Sequence, residues 1–323
     1  QETIPALGLE GAPQSFAQQR LWFLDQLEPG ATAYNLPGVL DLKGTVDEGA
    51  LQQALDALAQ RHETLRTRLV AAPDGEAIPR QVIDPAIGVP LERVAVSHSD
   101  DPEGAFRDHA EAFMRRPFSM GTQPLWRVGL VTMAAKESRL LICLHHAISD
   151  GWSVSVLMRD FASLYRAACG ERAAVLEKLS IQYADFSVWQ REWLASGEGE
   201  RQLNYWRAQL GDGQPVLELP TDRPRPARQS FQGARHHFRL GESLSNRLRG
   251  SAASRDVTPF MMLLAAYNLL LHRLSGQDDL RVGVPVAGRN RRETEGLVGF
   301  FVNTQVLRCE LASSQTFEQV LAT

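Results

Sequence analysis

The sequence has 323 residues, of which 44% are hydrophobic, 22% charged and 7% aromatic, and its formal net charge at pH 7 is −4. This composition excludes a disordered, collagen-like or low-complexity chain, because it offers ample apolar surface for a folded core. The nearly balanced charge gives no electrostatic reason to expect a nucleic acid or an anionic membrane as a partner. The length predicts roughly two domains or lobes, each large enough for its own core.

Cysteine usage and the absence of targeting patterns predict a cytoplasmic protein. Three single cysteines, Cys143, Cys169 and Cys309, argue for a reducing compartment and against a disulfide framework. No stretch approaches the roughly 18 uninterrupted apolar residues of a membrane span. Residues 1–14 contain two prolines and two glycines and no signal-peptide pattern. We interpret them as an interdomain linker in an excised piece of a longer, multidomain cytoplasmic enzyme.

The first half of the chain alternates between helix and strand patterns. Four segments carry apolar residues at helical spacing: 15–27, 47–61, 101–115 and 153–168. Four other segments are strand-like: 34–42, 65–70, 125–133 and 139–146. The last two strands are predicted to pair around a polar turn at 136–138, and Ser15 is the predicted N-cap of the first helix.

A connector separates this half from a second α+β unit. Between 214 and 232, four prolines together with Arg223, Arg225 and Arg228 predict an extended, solvated, non-helical segment. Beyond it we predict one helix and three strands: a strand at 236–240, a helix at 258–274, and strands at 280–285 and 300–311. We therefore divide the chain into four parts: a linker at 1–14, an N-terminal lobe at 15–176, a connector at 177–230 and a partial C-terminal lobe at 231–323.

The residues best suited to chemistry follow a buried strand. Residues 140–144 are five apolar residues without polar alternation, which predicts a strand buried on both faces. Because side chains alternate along a strand, His145 and His146 at its end are expected to point to opposite sides, one into a cavity and one into the interior. A turn at Ser149-Asp150-Gly151 and a helix follow. Such a strand–turn–helix edge holds side chains rigidly.

Taken as residues alone, these histidines have a structural role more often than a catalytic one in proton transfer. A metal site made of His145, His146 and Asp150 is disfavoured, because adjacent strand residues diverge. The sequence has no GxSxG nucleophile elbow, no GxxxxGK[ST] phosphate loop and no GxGxxG after a strand. It therefore predicts no metal, no nucleotide and no tightly bound cofactor.

Five motifs, in order, resemble those of condensation domains of nonribosomal peptide synthetases. Residues 145–151, HHAISDG, match HHxxxDG. The others are SFAQQRLWF at 15–23, similar to SxAQxRLWxL; RHETLRT at 61–67, similar to RHExLRTxF but with Leu69 where Phe is usual; YADFSVWQ at 183–190, similar to YxDYAVWQ; and GFFVNT at 299–304, similar to IGxFVNT. In the family the last motif follows a basic Gly-Arg segment, here Gly288-Arg289. Together the motifs cover almost the whole chain.

The resemblance implies an α/β (α+β) fold like that of chloramphenicol acetyltransferase, with two similar lobes in a V and a channel between them. It implies an acyltransferase that forms an amide (peptide) bond between a donor aminoacyl or peptidyl thioester and an acceptor amino acid. Both substrates would arrive on the 4′-phosphopantetheine of carrier domains. The implied partners are an upstream donor carrier, a downstream acceptor carrier and an adjacent adenylation domain. The implied setting is bacterial secondary metabolism, such as antibiotic or siderophore biosynthesis. The family continues beyond the FVNT motif, so we expect the second lobe here to be truncated.

The resemblance also assigns roles within HHxxxDG. His146 lines the channel and acts in catalysis, as a base or as a positioning group, and His145 packs into the interior. Asp150 is the structural acid. Gly151 backs the site, where its N–H at a helix start is a candidate donor to an oxyanion.

Two residues near the fifth motif complete the predicted site. A buried carboxylate needs a cation, and the family places a Gly-Arg segment against this site, so we predict an ion pair between Asp150 and Arg289. Asn303 is expected either to satisfy backbone groups or to shape the channel.

Three rival functions exist on the same fold. An epimerisation domain shares HHxxxDG but usually continues with Val-Ser-Trp, where this chain has Trp152-Ser153. A heterocyclisation domain would carry DxxxxD instead, which this chain does not. A non-catalytic recruitment module would be expected to have a degraded motif, and the motif here is intact. The AQQRLW and RHE forms resemble the subtype that joins an L-configured donor to an L-acceptor.

Overall fold

The structure of the protein is a computed structural model that describes residues 3–74, 76–171, 173–227 and 233–322. The chain divides into two compact units, Gln1–Gly199 with Val286–Asn303, and Glu200–Pro285 with Thr304–Thr323. These units differ from the predicted lobes, because residues 177–199 and 286–303 both belong to the first unit. The predicted boundary at residue 230 lies outside the described residues, and the division into lobes stays a prediction.

The described residues contain nine strands in three sheets. The strands are β1 (Gly11–Pro13), β2 (Asn35–Lys43), β3 (Thr67–Val70), β4 (Arg80–Ile83), β5 (Leu91–Ala95), β6 (Trp126–Ala134), β7 (Glu137–His145), β8 (Asp279–Val286) and β9 (Asn303–Glu310). The sheet orders are β1-β4-β3, β2-β7-β6-β5 and β8-β9. Within the first two sheets every pair is antiparallel except the parallel pair β5–β6.

The described residues also form ten helices. They are α1 (Phe16–Leu27), α2 (Glu48–Arg61), α3 (Pro102–Arg115), α4 (Gly151–Ala168), α5 (Tyr183–Trp193), α6 (Gly199–Leu210), α7 (Glu242–Ala253), α8 (Pro259–Ser275), α9 (Arg292–Glu295) and α10 (Phe317–Ala322). Short 3₁₀ turns cover Glu63–Arg66 and His146–Ile148, and a π-helical turn covers Leu194–Glu198. In the part of the chain that the structure describes, no helix has the length and hydropathy that a membrane crossing requires.

Side-chain caps explain why the first three helices begin where the sequence predicts. The Ser15 hydroxyl accepts the backbone N–H of Gln18, and the Gln18 side chain accepts the N–H of Ser15, each at 3.1 Å. Asp47 and Asp101 cap α2 and α3 through their carboxylates. Each cap satisfies an N–H group that has no partner inside the helix. The predicted bounds of these helices are confirmed to within one residue.

Strand β7 is the centre of the first unit's core. Leu140, Leu141 and Cys143 are completely buried, and Ile142 and Leu144 nearly so, which confirms a strand buried on both faces. β2 and β6 flank it in the sheet. The strand ends one residue earlier than predicted, because His146 begins a 3₁₀ turn.

The predicted connector at 177–230 contains two helices, α5 and α6, which the sequence analysis did not predict. Tyr183, Ala184 and Phe186 on α5 are buried, so this helix is part of the first unit's packing. The proline-rich residues 214–227 form neither helix nor strand, as predicted. Arg228 and residues 229–232 lie outside the described residues.

In the second unit, the predicted strand at 236–240 is wrong. These residues are exposed and belong to no strand, because a strand needs a hydrogen-bonded neighbour and none of the described strands pairs with them. The predicted strand at 300–311 begins only at Asn303. The core of this unit includes Leu271, Leu280 and Val320.

Candidate functional site

His145 ends strand β7 and packs into the core. Its side chain is almost completely buried, its ring lies against those of Tyr34 and Phe118, and Nδ1 accepts the backbone N–H of Ala147 at 3.1 Å. Burial lowers the pKa of His145 to about 4, and the adjacent His146 contributes to that lowering. The ring is therefore a neutral hydrogen-bond acceptor that holds the turn, in agreement with the predicted interior position.

His146 is the half-buried member of the pair. Its backbone N–H donates to the carbonyl of Tyr34 at 2.8 Å, which fixes the 3₁₀ turn. Its ring packs against Phe300, with centroids 4.6 Å apart. Nδ1 is buried and has no hydrogen-bond partner among the described residues. Nε2 is therefore the nitrogen available to a reacting group.

Asp150 is completely buried and caps helix α4. Oδ1 accepts the backbone N–H of Ser153 at 2.8 Å and lies 3.2 Å from Nη2 of Arg289. Oδ2 accepts the backbone N–H of Phe301 at 3.0 Å. The predicted Asp150–Arg289 ion pair is thus present. Both carboxylate oxygens are engaged, which suits a structural group and not a proton carrier.

Arg289 reaches this carboxylate from the loop after β8, with a side chain only 2% exposed. Nη1 donates to the carbonyls of Thr294 and Leu297, and Nη2 also donates to the Ser153 hydroxyl at 2.7 Å. The guanidinium lies 4.0 Å from the ring centre of Phe301. Burial lowers the pKa of Arg289, and Asp150 opposes that shift. A desolvated pair of this kind depends on its full set of hydrogen bonds.

Ser153 is a member of the network that the sequence analysis did not single out. Its hydroxyl lies 2.7 Å from Asp150 Oδ1 and 2.8 Å from the Gly299 carbonyl, so it donates to one of the two. The same oxygen accepts the Gly299 N–H at 3.1 Å. The Asp-x-x-Ser spacing at a helix start could have predicted this role, because it places Ser153 within reach of the capping side chain of Asp150.

Tyr183 and Gly299 were also missed as site residues. The buried Tyr183 hydroxyl lies 2.8 Å from the Ser15 hydroxyl and donates to the Phe300 carbonyl at 2.7 Å. Burial raises the pKa of Tyr183. Its ring occupies the place of a side chain at Gly299, where a Cβ would lie 2.0 Å from the ring. Loop 299–301 is therefore held by α4 and by α5.

The two remaining predicted residues are exposed. Gly151 is the first residue of α4, and a Cβ placed on it would meet no atom within 4 Å. The described surroundings therefore do not require glycine, and space is open before the first N–H groups of the helix. Asn303 lies at the start of β9. The two roles expected for it stay predictions.

The RHE motif forms a separate charged cluster. Asp160, completely buried, lies 2.9 Å from Arg61 Nε, 3.0 Å from His62 Nε2 and 3.0 Å from Arg159 Nε. Burial raises the pKa of Asp160, but these hydrogen bonds outweigh burial and bring it to about 2. Burial also lowers the pKa of His62, against the opposing effect of Asp160. The charged residues Arg61 and His62 of this motif are therefore engaged in pairs within the protein.

The arrangement suits acyl transfer. It offers one half-buried imidazole, His146, five residues before the start of α4, on a frame held by Asp150 and Arg289. An imidazole exchanges protons near neutral pH, and N–H groups at a helix start stabilise an oxyanion. Within residues 3–74, 76–171, 173–227 and 233–322, no group of three or more His, Cys, Asp or Glu side chains could hold a metal ion.

Sequence comparison matches the family model described as Condensation domain to residues 10–323. One linear gramicidin synthase protein of Brevibacillus parabrevis is 44% identical over 313 residues, which are 96% of this chain and 6% of that protein. A chondramide synthase of Chondromyces crocatus is 42% identical over 312 residues, which are 96% of this chain and 8% of that protein. The chain spans between 4% and 28% of the length of eight curated relatives that it matches.

Solved structures show the same fold. The X-domain from teicoplanin biosynthesis superposes with a TM-score of 0.88 at 28% identity, over 99% of this chain and 70% of that one, and it is also known in a complex with OxyB. The four-domain nonribosomal peptide synthetase holo-AB3403, bound to AMP and glycine, gives a TM-score of 0.83 at 27% identity, over 97% of this chain and 23% of that one. The predicted α/β fold of the chloramphenicol acetyltransferase type is confirmed. The chain belongs to the condensation-domain family of nonribosomal peptide synthetases.

Proposed function

We propose that the chain joins a donor aminoacyl or peptidyl thioester to the amino group of an acceptor amino acid, each delivered on the 4′-phosphopantetheine arm of a carrier domain. The observation that carries this proposal is the difference between the two histidines and the aspartate of HHAISDG. His145 and Asp150 are buried and engaged by the protein, and His146 is half-buried with Nε2 left for a substrate.

The proposed reaction forms a C–N bond and breaks a C–S bond. The acceptor nitrogen attacks the thioester carbonyl, the resulting oxyanion collapses, and the pantetheine sulfur leaves and ends as the thiol, with the proton that the nitrogen gives up. His146 Nε2 accepts that proton or holds the nitrogen through a hydrogen bond. The first N–H groups of α4, at Gly151, are the proposed oxyanion donors. Open space around Gly151 supports this placement.

Asp150 and Arg289 are proposed as positioning residues. They tie the start of α4 to the loop 299–301 through the Phe301 N–H and the Ser153 hydroxyl. Phe300 in that loop packs against the His146 ring. The ion pair therefore holds in place both the start of α4 and the loop whose Phe300 packs against His146. Asn303, at the end of this loop, is proposed to help shape the substrate path.

The proposed setting follows the relatives. Similarity to one part of a four-domain synthetase supports upstream donor and downstream acceptor carrier domains and an adjacent adenylation domain as partners. The AQQRLW and RHE forms support the L-donor, L-acceptor subtype. We propose that the protein is cytoplasmic and has no nucleic-acid or membrane partner. We also propose that it binds no cofactor of its own and that phosphopantetheine reaches it only as part of its substrates.

The test supplies the protein that contains this chain with donor-loaded and acceptor-loaded carrier proteins and looks for the peptidyl thioester by mass spectrometry. We expect product from at least one matched pair, and its loss in the His146→Ala variant. Absence of product with every chemically reasonable pair would overturn the proposal.

A non-catalytic recruitment module is the second candidate, favoured by the TM-score of 0.88 to an X-domain that is also known in complex with OxyB. The intact HHAISDG motif opposes it. Stable binding of a partner enzyme without any condensation product would favour recruitment. An epimerisation domain, the third candidate, would return the donor with inverted configuration, which chiral analysis of the recovered donor detects.

A further inference from the structure

The first unit contains a cavity that does not belong to the candidate site. Its volume is about 670 Å³, within the range of pockets that hold small molecules. The walls come from residues 65–66, the loop 84–92 and the segment 116–127, with Ala59 at one side. None of the six predicted site residues lines it.

The walls are apolar and conformationally restricted. Phe118 and Trp126 contribute aromatic surface, and four prolines line the cavity: Pro85, Pro90, Pro117 and Pro124. Because a proline ring fixes φ, such walls lose little conformational freedom when a ligand binds. The cavity is therefore largely preformed for an apolar or aromatic group.

Arg127 lines the cavity, and its charged side chain forms no ion pair with a carboxylate of the described residues. Its Nε donates to the Phe113 carbonyl at 3.0 Å, Nη1 to the Pro117 carbonyl at 3.5 Å, and Nη2 to the Arg116 carbonyl and to Cys143 Sγ. Its guanidinium lies 4.0 Å from the ring centre of Phe118. Burial lowers the pKa of Arg127, because the charged group has lost part of its water. An anion in the cavity would restore that lost stabilisation.

The acidic groups on the same wall are already engaged. Asp84 pairs with Arg68 and Glu92 with Arg116, each at 2.7 Å. Neither carboxylate forms an ion pair with Arg127, and the charge of Glu92 opposes the lowering of the Arg127 pKa without outweighing burial.

We propose that this cavity binds a small carboxylic acid with an aromatic or aliphatic body. The carboxylate pairs with Arg127, and the body packs against Phe118, Trp126 and the prolines. A cationic ligand of the same shape meets an arginine that has no ion-pair partner among the described residues, and a neutral one gains no ion pair. The volume matches a free small molecule, which is the occupant that we assign.

Binding can be measured by ¹⁹F NMR on protein labelled with 5-fluorotryptophan, in which the Trp126 signal is assigned with the Trp126→Phe variant. The chain has six tryptophans, and the other five report binding elsewhere. The probes are 3-phenylpropionate, 3-phenylpropanamide and 3-phenylpropylamine, which share one body and differ in head group. For a ligand of this size we expect a Kd of about 1 mM for the acid. We expect Kd values about tenfold higher or more for the amide and the amine.

A saturable shift of Trp126 with the acid supports the site. No shift, equal shifts with acid and amide, or shifts confined to the other tryptophans would overturn it.

Ile87 provides matched variants that spare the fold, because it lines the cavity and its side chain is 74% exposed. Ile87→Glu and Ile87→Lys remove the same apolar group and differ only in the sign of the new charge. We expect the glutamate variant to bind 3-phenylpropionate about threefold or more weakly than the lysine variant at low salt. Equal affinities would overturn the ion pair with Arg127 without depending on Arg127→Gln, which loses bonds to three carbonyls and can unfold.

Discussion

Two adjacent histidines have opposite surroundings in this protein, and the difference is testable. We expect His146→Ala to lower the condensation rate by about 10²- to 10⁴-fold with unchanged thermal unfolding, because it removes the group left open to a substrate. We expect His145→Ala to lower the free energy of unfolding by about 1–3 kcal/mol, because it leaves the Ala147 N–H unpaired. Product rates and unfolding curves of both variants check this. Equal rate losses with unchanged unfolding would contradict it.

Substitution of Gly151 is expected to change the condensation rate without lowering the stability of the fold. A methyl group there meets no described atom, and alanine favours helix over glycine, so Gly151→Ala should be as stable as the parent or more stable by up to about 1 kcal/mol. If a substrate oxygen approaches the first N–H groups of α4, the same methyl group obstructs it and the condensation rate falls at least about tenfold. Steady-state rates and urea unfolding measure the two effects. Unchanged rates would place the oxyanion elsewhere.

At the scale of elements, the Asp150–Arg289 pair joins the start of α4 to the loop that precedes β9. Removing one partner leaves an uncompensated buried charge, so Arg289→Ala should cost about 3–5 kcal/mol of folding free energy and reduce activity with it. Asp150→Asn should lower stability and activity together. The control is Arg93→Ala at the exposed Arg93–Glu48 pair, expected to cost at most about 1 kcal/mol. A fully stable but inactive Asp150→Asn protein would instead give Asp150 a chemical role.

The packing of α5 against loop 299–301 makes a second prediction at this scale. Gly299→Ala places a Cβ inside the Tyr183 ring position, so we expect a loss of about 1–3 kcal/mol and a shift of the loop that carries Phe300. Gly213→Ala is the matched control, because a Cβ there meets nothing within 4 Å. Denaturant unfolding of the two variants tests the difference. Equal stabilities would show that the loop and α5 are not packed as described.

For the whole molecule, buried histidines predict loss of stability in mild acid. His145 has a folded pKa of about 4 against 6.5 in the unfolded chain, so the unfolded state binds the proton first as the pH falls. The contribution is complete above pH 6.5, is lost between pH 6.5 and 4, and amounts to about 3 kcal/mol. The lowered pKa of His62 acts in the same direction.

The measurement is the free energy of unfolding in urea at several pH values from 7 to 4. His145→Asn removes the titrating group and keeps an acceptor for Ala147, so its curve should be flatter than that of the parent. Parallel curves would show that His145 is protonated equally in both states.

Local patterns in the sequence were sufficient to predict helix starts, the central buried strand and the family of this protein. Ser15 predicts a helix start because a cap acts on N–H groups two or three residues away, and the structure shows Asp47 and Asp101 capping the next two helices in the same way. Residues 140–144 predict a doubly buried strand because five successive apolar side chains leave no polar face. The five motifs, in their order along the chain, were sufficient to identify the family.

The tertiary structure alone decided which distant residues meet. Asp150 binds Arg289 and the Phe301 N–H across more than 130 residues, and Tyr183 fills the space at Gly299 across more than 110. No local periodicity encodes such contacts, because they depend on how several elements pack against each other. The same reason explains α5, which the sequence placed in a connector and which the structure packs into the first unit. Motifs identified the HHAISDG residues, and packing determined that His145 and Asp150 are buried and bonded within the protein whereas His146 is half-buried.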